Sequence, residues 1–190
     1  MAVAFWIGDW ARRLGISCVL CAALVGCSMP DGPNPDDPDR TAEAPPPEIT
    51  LNGPGQLLPI TAMATIRSEQ FELEVAETPS QQSLGLMFRS ALPSNRGMLF
   101  PFGAPRRASF WMKDVPVPLD MVFIRASEVV AIAAEVPPCP ALPCPSYGPD
   151  AELVDQVLEL RSGRAAELGL QPGDRIEIQM LADPSSSVLD

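Results

Sequence analysis

The chain has 190 residues, with 24 acidic against 13 basic side chains and a formal net charge of −11 at pH 7. This charge argues against binding to nucleic acid and against electrostatic binding to anionic lipid, because both need basic patches. The sequence contains no histidine, which excludes Ser-His and Cys-His nucleophile pairs, histidine-ligated zinc and a histidine general base.

Residues 1–27 are predicted to be an export signal. Arg12 and Arg13 precede the uninterrupted apolar segment Leu14–Gly26. Its 13 residues are too few to span a bilayer as a stable helix and are typical of a signal peptide. An ordinary cleaved peptide and an uncleaved anchor are alternative uses of the same segment.

The end of this segment, Leu-Val-Gly-Cys at 24–27, resembles a bacterial lipoprotein signal. In that class the cysteine becomes the lipidated first residue, so the resemblance implies a lipid anchor at Cys27 in the cell envelope. More than one acyl chain makes such anchoring stable. Ser28 follows the cysteine, and by the same resemblance a residue other than Asp there implies the periplasmic face of the outer membrane.

Residues 28–56 are rich in Pro, Asp and Gly and poor in large apolar side chains before Ile49. Such a segment cannot bury enough apolar surface to offset the entropy of ordering it, which predicts a disordered tether. We therefore expect a single folded domain at 57–182, followed by a polar, disordered tail at 183–190.

The first part of the domain predicts a hairpin and a short helix. Alternation of apolar and polar residues predicts strands at Ile60–Ile66 and Phe71–Val75. Thr78 is the expected helix N-cap, with proline at the first helical position and Gln81 at the capping-box position. This helix is expected to end near Met87.

The rest of the domain is expected to consist mainly of strands. Ser162 is predicted to cap a short helix at Gly163–Leu168. About seven or eight short strands with two small helices predict an α+β, mainly β class with a compact barrel-like or rolled antiparallel or mixed sheet. The further strands are expected at Gly97–Phe100, Ser109–Lys113, Leu119–Ile124, Val129–Ala134, Leu153–Leu160 and Arg175–Leu181.

The segment FWMKD, Phe110–Asp114, is the strongest candidate for a functional site. Lys113 is the sole lysine of the chain, and Trp111 is the sole tryptophan beyond the first ten residues. Residues two apart on a strand point to one face, so these two side chains are expected to lie together. Lysine can act as a base or nucleophile when it is buried. Packing in the core would account for Trp111 equally well.

Arg89 and Asp120 are further candidates. Arg89 follows the first helix and can pair with a carboxylate or hold an anionic ligand. Asp120 lies near the start of an otherwise apolar strand, where a carboxylate needs a partner, and Lys113 or Arg89 can supply the charge. We expect these residues to converge with Trp111 on one pocket, with Lys113 within reach of Asp120.

Cys139 and Cys144 lie in a short proline-rich loop. In an exported chain such a pair is expected to form a disulfide, and the small loop limits its entropic stabilisation to about 2–3 kcal/mol. A redox pair and a metal site are the alternatives. The first usually has a C-x2-C spacing and the second would need two further ligands, so we expect no metal and no cofactor.

Several short blocks of the sequence stand in a recognisable order. They are GLMFR (Gly85–Arg89), LP (Leu92–Pro93), GMLFPF (Gly97–Phe102), FWMKD, P-LDMVFI (Pro118–Ile124), VLEL (Val157–Leu160), SGRA (Ser162–Ala165) and GLQPGD (Gly169–Asp174). Their order and spacing resemble the bacterial and archaeal family called domain of unknown function 192. The resemblance covers about 71–178 and implies a compact β-rich domain, but no catalytic residue, substrate or cofactor. One departure is Asp114, which stands where the family usually has asparagine and adds a negative charge beside Lys113.

Three hypotheses for function follow from the sequence. In the leading one, a lipid-anchored envelope domain binds a small ligand, peptide or cell-wall fragment without catalysis. Trp111 would stack on an apolar or sugar face, and Arg89 and Lys113 would hold an anionic group. The second is an envelope enzyme with Lys113 as base and Asp120 or Asp114 as its charge partner. The third is a scaffold or assembly factor that acts through a sheet edge.

Overall fold

The computed structural model describes residues 47–182, so the predictions for the export signal, Cys27, residues 28–46 of the tether and the tail concern residues outside this range. No helix within the described residues has the length and apolar character needed to cross a membrane. The strands are β1 (Ile60–Ile66), β2 (Glu69–Val75), β3 (Arg96–Arg106), β4 (Phe110–Trp111), β5 (Leu119–Arg125), β6 (Glu128–Val136), β7 (Ser146–Tyr147), β8 (Val154–Arg161) and β9 (Glu177–Met180). The helices are α1 (Pro79–Leu84) and α2 (Arg164–Glu167).

Seven of these strands form one mixed sheet in the order β6-β5-β8-β3-β2-β1-β9. Strands β2 and β3 run parallel and the other neighbours run antiparallel. Strands β4 and β7 pair separately as a small ribbon. The predicted α+β, mainly β class with two short helices is therefore confirmed, and the sheet is rolled without closing into a barrel.

The roll brings the chain just before β9 against the start of β6. Val129 N–H donates to the carbonyl of Asp174, and Gly173 N–H donates to the carbonyl of Val129, each over 2.8 Å. Ile176 N–H reaches the carbonyl of Ser127 over 2.9 Å. These bonds satisfy backbone groups at the two ends of the sheet that would otherwise be free to pair with another chain.

Alternate residues of each strand supply two apolar cores on opposite faces of the sheet, as the period of two requires. The first core contains Leu99, Val122 and Leu158. The second core contains Met98, Phe100, Met121, Phe123 and Val157, and the segments at 86–92 and 108–119 cover it. The candidate site lies on this second face.

Helix α1 begins as predicted, because the Thr78 hydroxyl accepts from Gln81 N–H and the Gln81 side chain accepts from Thr78 N–H. It ends earlier than expected, at Gly85 with φ of 48°, a left-handed conformation that favours glycine. The prediction that Ser162 caps α2 was wrong. Gly163 occupies the cap position without a side-chain hydrogen bond.

Residues 50–56, which the sequence assigns to the tether, contact the domain in the structure. Leu51 forms a β-bridge with Arg89, and Asn52 N–H donates to the carbonyl of Phe88 over 2.8 Å. The Gln56 amide donates to the carbonyls of Gln81 and Gly85. This segment therefore fixes the loop that follows α1.

Candidate functional site

Asp120 is fully buried on β5, and its partners are backbone groups rather than a cation. Its carboxylate accepts from the N–H groups of Glu135, Gly163 and Ala165 over 2.7, 3.1 and 2.8 Å. Three such bonds satisfy a buried carboxylate, and two of them cap the start of α2. Asp120 thus ties β5 to β6 and α2, which is a structural role.

Lys113 does not reach Asp120, so the predicted contact between them was wrong. The strand β4 ends at Trp111, and Asp114 turns the chain with φ of 55°. The Lys113 ammonium instead lies 3.3 Å from the Asp114 carboxylate, with both side chains about two-fifths exposed, at 40% and 42%. Solvent screens such a pair strongly, so the position lacks the dry surroundings that a lysine base requires.

The sequence allows Arg89 either to pair with a carboxylate or to hold an anionic ligand. In the structure it pairs with a carboxylate. Its guanidinium donates two parallel hydrogen bonds to the Glu74 carboxylate on β2, from Nη1 to Oε1 over 2.7 Å and from Nη2 to Oε2 over 2.6 Å. Leu58 N–H also donates to Glu74 over 2.6 Å. Both charged side chains are buried. The remaining Arg89 donor, Nε, is buried and has no hydrogen-bond partner among residues 47–182.

Glu159 is a second buried carboxyl group on the same face of the sheet. Strand register places Glu74 opposite Met98, Met98 opposite Glu159, and Glu159 opposite Met121. The two glutamates thus lie about 10 Å apart in one cross-strand row. Burial raises the pKa of Glu159 to about 8, and the nearby Arg89 charge only partly opposes this. Glu159 is therefore mostly protonated and uncharged at pH 7.

A cleft of about 360 Å³ opens on this face between α1, the second half of β3 and β4. We call it the aromatic cleft. Trp111 is 50% exposed at its edge. The Phe110 ring stands edge-on to Phe100, with ring centroids 5.0 Å apart. The cleft is lined by Pro79, Gln82, Ser83, Phe100, Arg106, Ser109, Phe110 and Trp111.

A smaller cavity of about 30 Å³, which we call the inner cavity, adjoins the aromatic cleft. Both spaces share five lining residues, and the inner cavity adds Glu159 and the segment that ends α1. Only glycine suits position 85 in its wall, because the φ there is positive and a Cβ would stand 3.4 Å from the Phe100 ring. The shared residues are Gln82, Ser83, Phe100, Phe110 and Trp111.

The walls of the aromatic cleft are fixed by hydrogen bonds to the sheet and by the ribbon. The Gln82 amide donates to the carbonyls of Ala76 and Pro101 over 3.1 and 2.8 Å, which anchors α1. On the opposite wall β7 pairs with β4, so that Tyr147 faces Phe110.

The loop around β7 is itself held in place. Cys139 and Cys144 form a disulfide in the structure, and Cys139 N–H donates to the carbonyl of Met112 over 3.3 Å. At Gly148 a Cβ would meet the Ala108 carbonyl at 2.1 Å, so the chain can approach β4 this closely only with glycine.

Arg106 supplies the positive charge at the cleft. Its guanidinium carbon lies 3.8 Å from the centre of the Phe102 ring, a cation–π contact that orients it without neutralising it. Glu159 contributes little negative charge at pH 7, so the lined surface is neutral to positive within a strongly acidic protein. Within the part of the chain that the structure describes, no group of three or more Cys, Asp or Glu side chains could hold a metal ion.

Residues 62–178 match the family model of domain of unknown function 192 (DUF192), described as an uncharacterized ACR. The chain belongs to this family. The family resemblance read from the ordered sequence blocks is thereby confirmed for the DUF192 domain, whereas the lipoprotein-type signal stays a prediction. No curated protein matches the chain.

Two solved structures are similar to this DUF192 domain. One is a protein of unknown function from Novosphingobium aromaticivorans DSM 12444, with 35% identity and a TM-score of 0.54; the match covers 62% of this chain and 83% of that one. The other, from Sinorhizobium meliloti 1021, is described as a candidate transcription regulator. It has 33% identity and a TM-score of 0.56, with 65% of this chain and 97% of that one covered.

Sequence reasoning brought Trp111 to the candidate site of the DUF192 domain and missed Glu159, Glu74 and Arg106. For Glu159 a usable signal existed. It is a lone acid in the apolar block VLEL, the same kind of signal that singled out Asp120. Nothing in the sequence pattern marked Arg106, which lies in a proline-flanked pair of arginines.

Proposed function

We propose that this domain binds a small organic ligand, such as a cell-wall saccharide, in the aromatic cleft, without catalysis. The observation that carries the proposal is Trp111, a large aromatic side chain left 50% exposed at the edge of a cleft of about 360 Å³. A volume of this size is within the range of small-molecule sites, which combine apolar walls with a few polar groups. An exposed indole beside such a cleft offers a flat face for stacking on an aromatic ring or a sugar.

The polar lining favours a ligand that carries hydroxyl groups and an anionic group. Ser83 and Ser109 present hydroxyls, and the Gln82 oxygen is free to accept because its amide nitrogen is engaged with the sheet. Arg106 would bind the anionic group of the ligand, a role that the sequence assigned to Arg89 and Lys113. Arg89 is committed to Glu74, and Lys113 is paired with Asp114.

The other functional hypotheses have less support. An enzyme with Lys113 as base needs a dry lysine, and the half-exposed ion pair with Asp114 does not supply one. Regulation of transcription, the description of one similar protein, would need a nucleic-acid-binding surface if it acted through DNA. The net charge of −11 opposes such a surface.

The proposed setting is the cell envelope, with a lipid anchor at Cys27 and the domain held at the periplasmic face of the outer membrane. Support comes from the apolar segment that ends at this cysteine. The test is the variant Cys27→Ser, which is expected to block lipid labelling and leave an unprocessed precursor. An unlabelled, unprocessed wild-type chain in the cytoplasm would contradict the anchor and the location together.

Ligand binding is tested with the full chain in detergent, with muramyl dipeptide and chitotriose as probes. Because Trp6 and Trp10 would also fluoresce in any unprocessed chain, the signal of Trp111 is isolated in a background in which both are replaced by phenylalanine. We expect a saturable change in Trp111 emission when the wild type binds a probe. Calorimetry is expected to show that Trp111→Ala no longer binds it. The matched control is Leu142→Ala, which removes an exposed apolar side chain outside the cleft. Absence of saturable binding by either probe, or equal binding by Trp111→Ala, contradicts the proposal.

A further inference from the structure

Glu159 is a buried residue whose carboxyl group has no hydrogen-bond partner among residues 47–182. Glu159 is only 5% exposed, yet its side chain lines the inner cavity. Its cross-strand neighbours are Met98 and Met121, whose side chains are apolar. Within residues 47–182 no donor makes a hydrogen bond to this carboxyl group, and Arg89 acts on it only through its charge. Buried polar groups normally have a hydrogen-bond partner, so a group bound in the inner cavity would supply the one that Glu159 lacks.

The charges around Glu159 argue for an uncharged partner. Arg89 is neutralised by the bidentate pair with Glu74, so the buried set of three side chains is electrically balanced when Glu159 is protonated. An anionic or cationic group placed in the cavity would upset that balance in a water-poor site, which costs more than the same change in water. A protonated carboxyl group offers one O–H donor and one carbonyl acceptor side by side.

We propose that the inner cavity is the subsite for an amide group of the ligand, such as an acetamido group, which accepts a hydrogen bond from the protonated Glu159 carboxyl group. The Glu159 O–H donates to the amide carbonyl oxygen, while the amide N–H, which a trans amide holds on the opposite side, points away from the carboxyl group. The size of the cavity agrees with this. About 30 Å³ accommodates roughly two water-sized groups, at about 10–15 Å³ each, as the carbonyl carbon and oxygen of an amide require.

This inference rests on the proposed function and deepens it. Because the inner cavity shares Phe110 and Trp111 with the aromatic cleft, one ligand can stack on the indole and place a substituent against Glu159. The ligand class is therefore a flat or sugar-like body that carries an N-acyl substituent. Glu159 acts in it as a specificity-determining residue.

The test compares probes that differ only at the group facing Glu159. Chitotriose and cellotriose share a trisaccharide frame but carry acetamido and hydroxyl groups respectively, and benzamide and benzoate share a ring. Affinities are measured by calorimetry on the full chain. We expect the wild type to bind chitotriose about tenfold more tightly than cellotriose, and benzamide about tenfold more tightly than benzoate, because the disfavoured probe leaves a buried polar group unpaired.

Two variants separate the subsite from the cleft. Glu159→Gln keeps a donor and an acceptor and is expected to retain the preference, whereas Glu159→Leu is expected to abolish it by weakening chitotriose binding about tenfold. Equal binding of both members of each pair by the wild type would overturn the amide subsite and leave the cleft standing. Failure of all four probes with the wild type would overturn the cleft proposal as well. If Glu159→Leu does not fold, the comparison between probes in the wild type and in Glu159→Gln still decides the matter.

Discussion

Arg89 and Glu74 form a buried bidentate ion pair, with oxygen–nitrogen distances of 2.6 and 2.7 Å. The pair fastens the loop after α1 to strand β2 beneath the candidate site. Because Arg89 is paired with Glu74, its charge only partly opposes the rise in the pKa of Glu159 that burial causes. Glu74 and Glu159 lie in the same cross-strand row. One buried salt bridge thus affects both the packing of the loop after α1 and the protonation of Glu159.

Removing one member of this pair is expected to destabilise the domain severely. Arg89→Met removes the bidentate partner of the buried Glu74 carboxylate and leaves only Arg96, whose Nη2 lies 3.8 Å from Oε1. Breaking such a buried pair typically costs about 3–5 kcal/mol. The free energy of unfolding is measured by urea titration. The matched control is Arg67→Met, which breaks the exposed pair with Asp174 and is expected to cost less than about 1 kcal/mol.

The double variant Glu74→Met with Arg89→Met provides the contrasting outcome. With no uncompensated charge left, it is expected to be more stable than Arg89→Met alone. Equal loss of stability in Arg89→Met and Arg67→Met would show that the buried pair contributes no more than a surface one.

Glu159 gives the protein a stability that depends on pH. Its pKa is raised from 4.5 to about 8 in the folded protein, so the folded state holds a proton that the unfolded chain releases above its ordinary pKa. The free energy of unfolding therefore falls as pH rises between these values, with a limiting slope of about 1.4 kcal/mol per pH unit from this one group. Arg89 opposes this shift and is paired with Glu74, whose carboxylate also lies 3.8 Å from Arg96 Nη2.

The variant Glu159→Gln removes this titration. Its urea midpoint is expected to match wild type near pH 5 and to exceed it near pH 9, where wild-type Glu159 is ionised in the folded state. Glu128→Gln, at an exposed glutamate, is the control and should follow the wild-type profile. Parallel profiles for wild type and Glu159→Gln would mean that the carboxyl group is not held protonated by the fold.

The strands were predictable because each is a local pattern, whereas the site depends on how strands are ordered. Alternation in β1 gave its bounds, Ile60–Ile66, directly. That Glu159 lies two strands from Glu74 follows from β8 inserting next to β3, a long-range pairing that no local pattern encodes. The pairing of Arg89 with Glu74 was not predicted for the same reason, because the two residues lie on separate elements of the fold.

The error at Lys113 has a different physical cause. Two residues share a face only while the strand continues, and β4 ends at Trp111 before the turn at Asp114. A left-handed conformation at a residue other than glycine is uncommon, so the turn was not expected from sequence. The position of Trp111 does not depend on Lys113, because Trp111 pairs with Ser146 of β7 in the ribbon.

Asp120 is expected to be required for stability and dispensable for binding. Asp120→Asn weakens the acceptor of three buried N–H bonds from β6 and α2 and brings in an amide NH2 that faces those donors, which is expected to cost about 2–3 kcal/mol in the free energy of unfolding. Asp155→Asn is the control, since Asp155 accepts a single bond from Ala126 N–H. Folded Asp120→Asn protein that binds chitotriose like wild type would support a structural role, whereas unchanged stability would contradict it.

The disulfide is expected to influence the cleft more than the global fold. It closes a short loop, so replacing both Cys139 and Cys144 by serine should cost at most about 2–3 kcal/mol in the free energy of unfolding. The same loop carries β7, which pairs with β4, and Cys139 N–H bonds to the carbonyl next to Trp111. Loss of the bridge should therefore loosen the wall that bears the indole.

Acrylamide quenching of Trp111 measures this effect, in the background where Trp6 and Trp10 are replaced by phenylalanine. We expect the double serine variant to show stronger quenching and weaker chitotriose binding at temperatures well below its unfolding transition, because β4 consists of two residues and depends on β7 for its backbone partners. Leu142→Ala alters the exposed tip of the same loop without touching the bridge and should leave both readings unchanged. A double variant with wild-type quenching and binding, but a lowered urea midpoint, would restrict the disulfide to a role in stability.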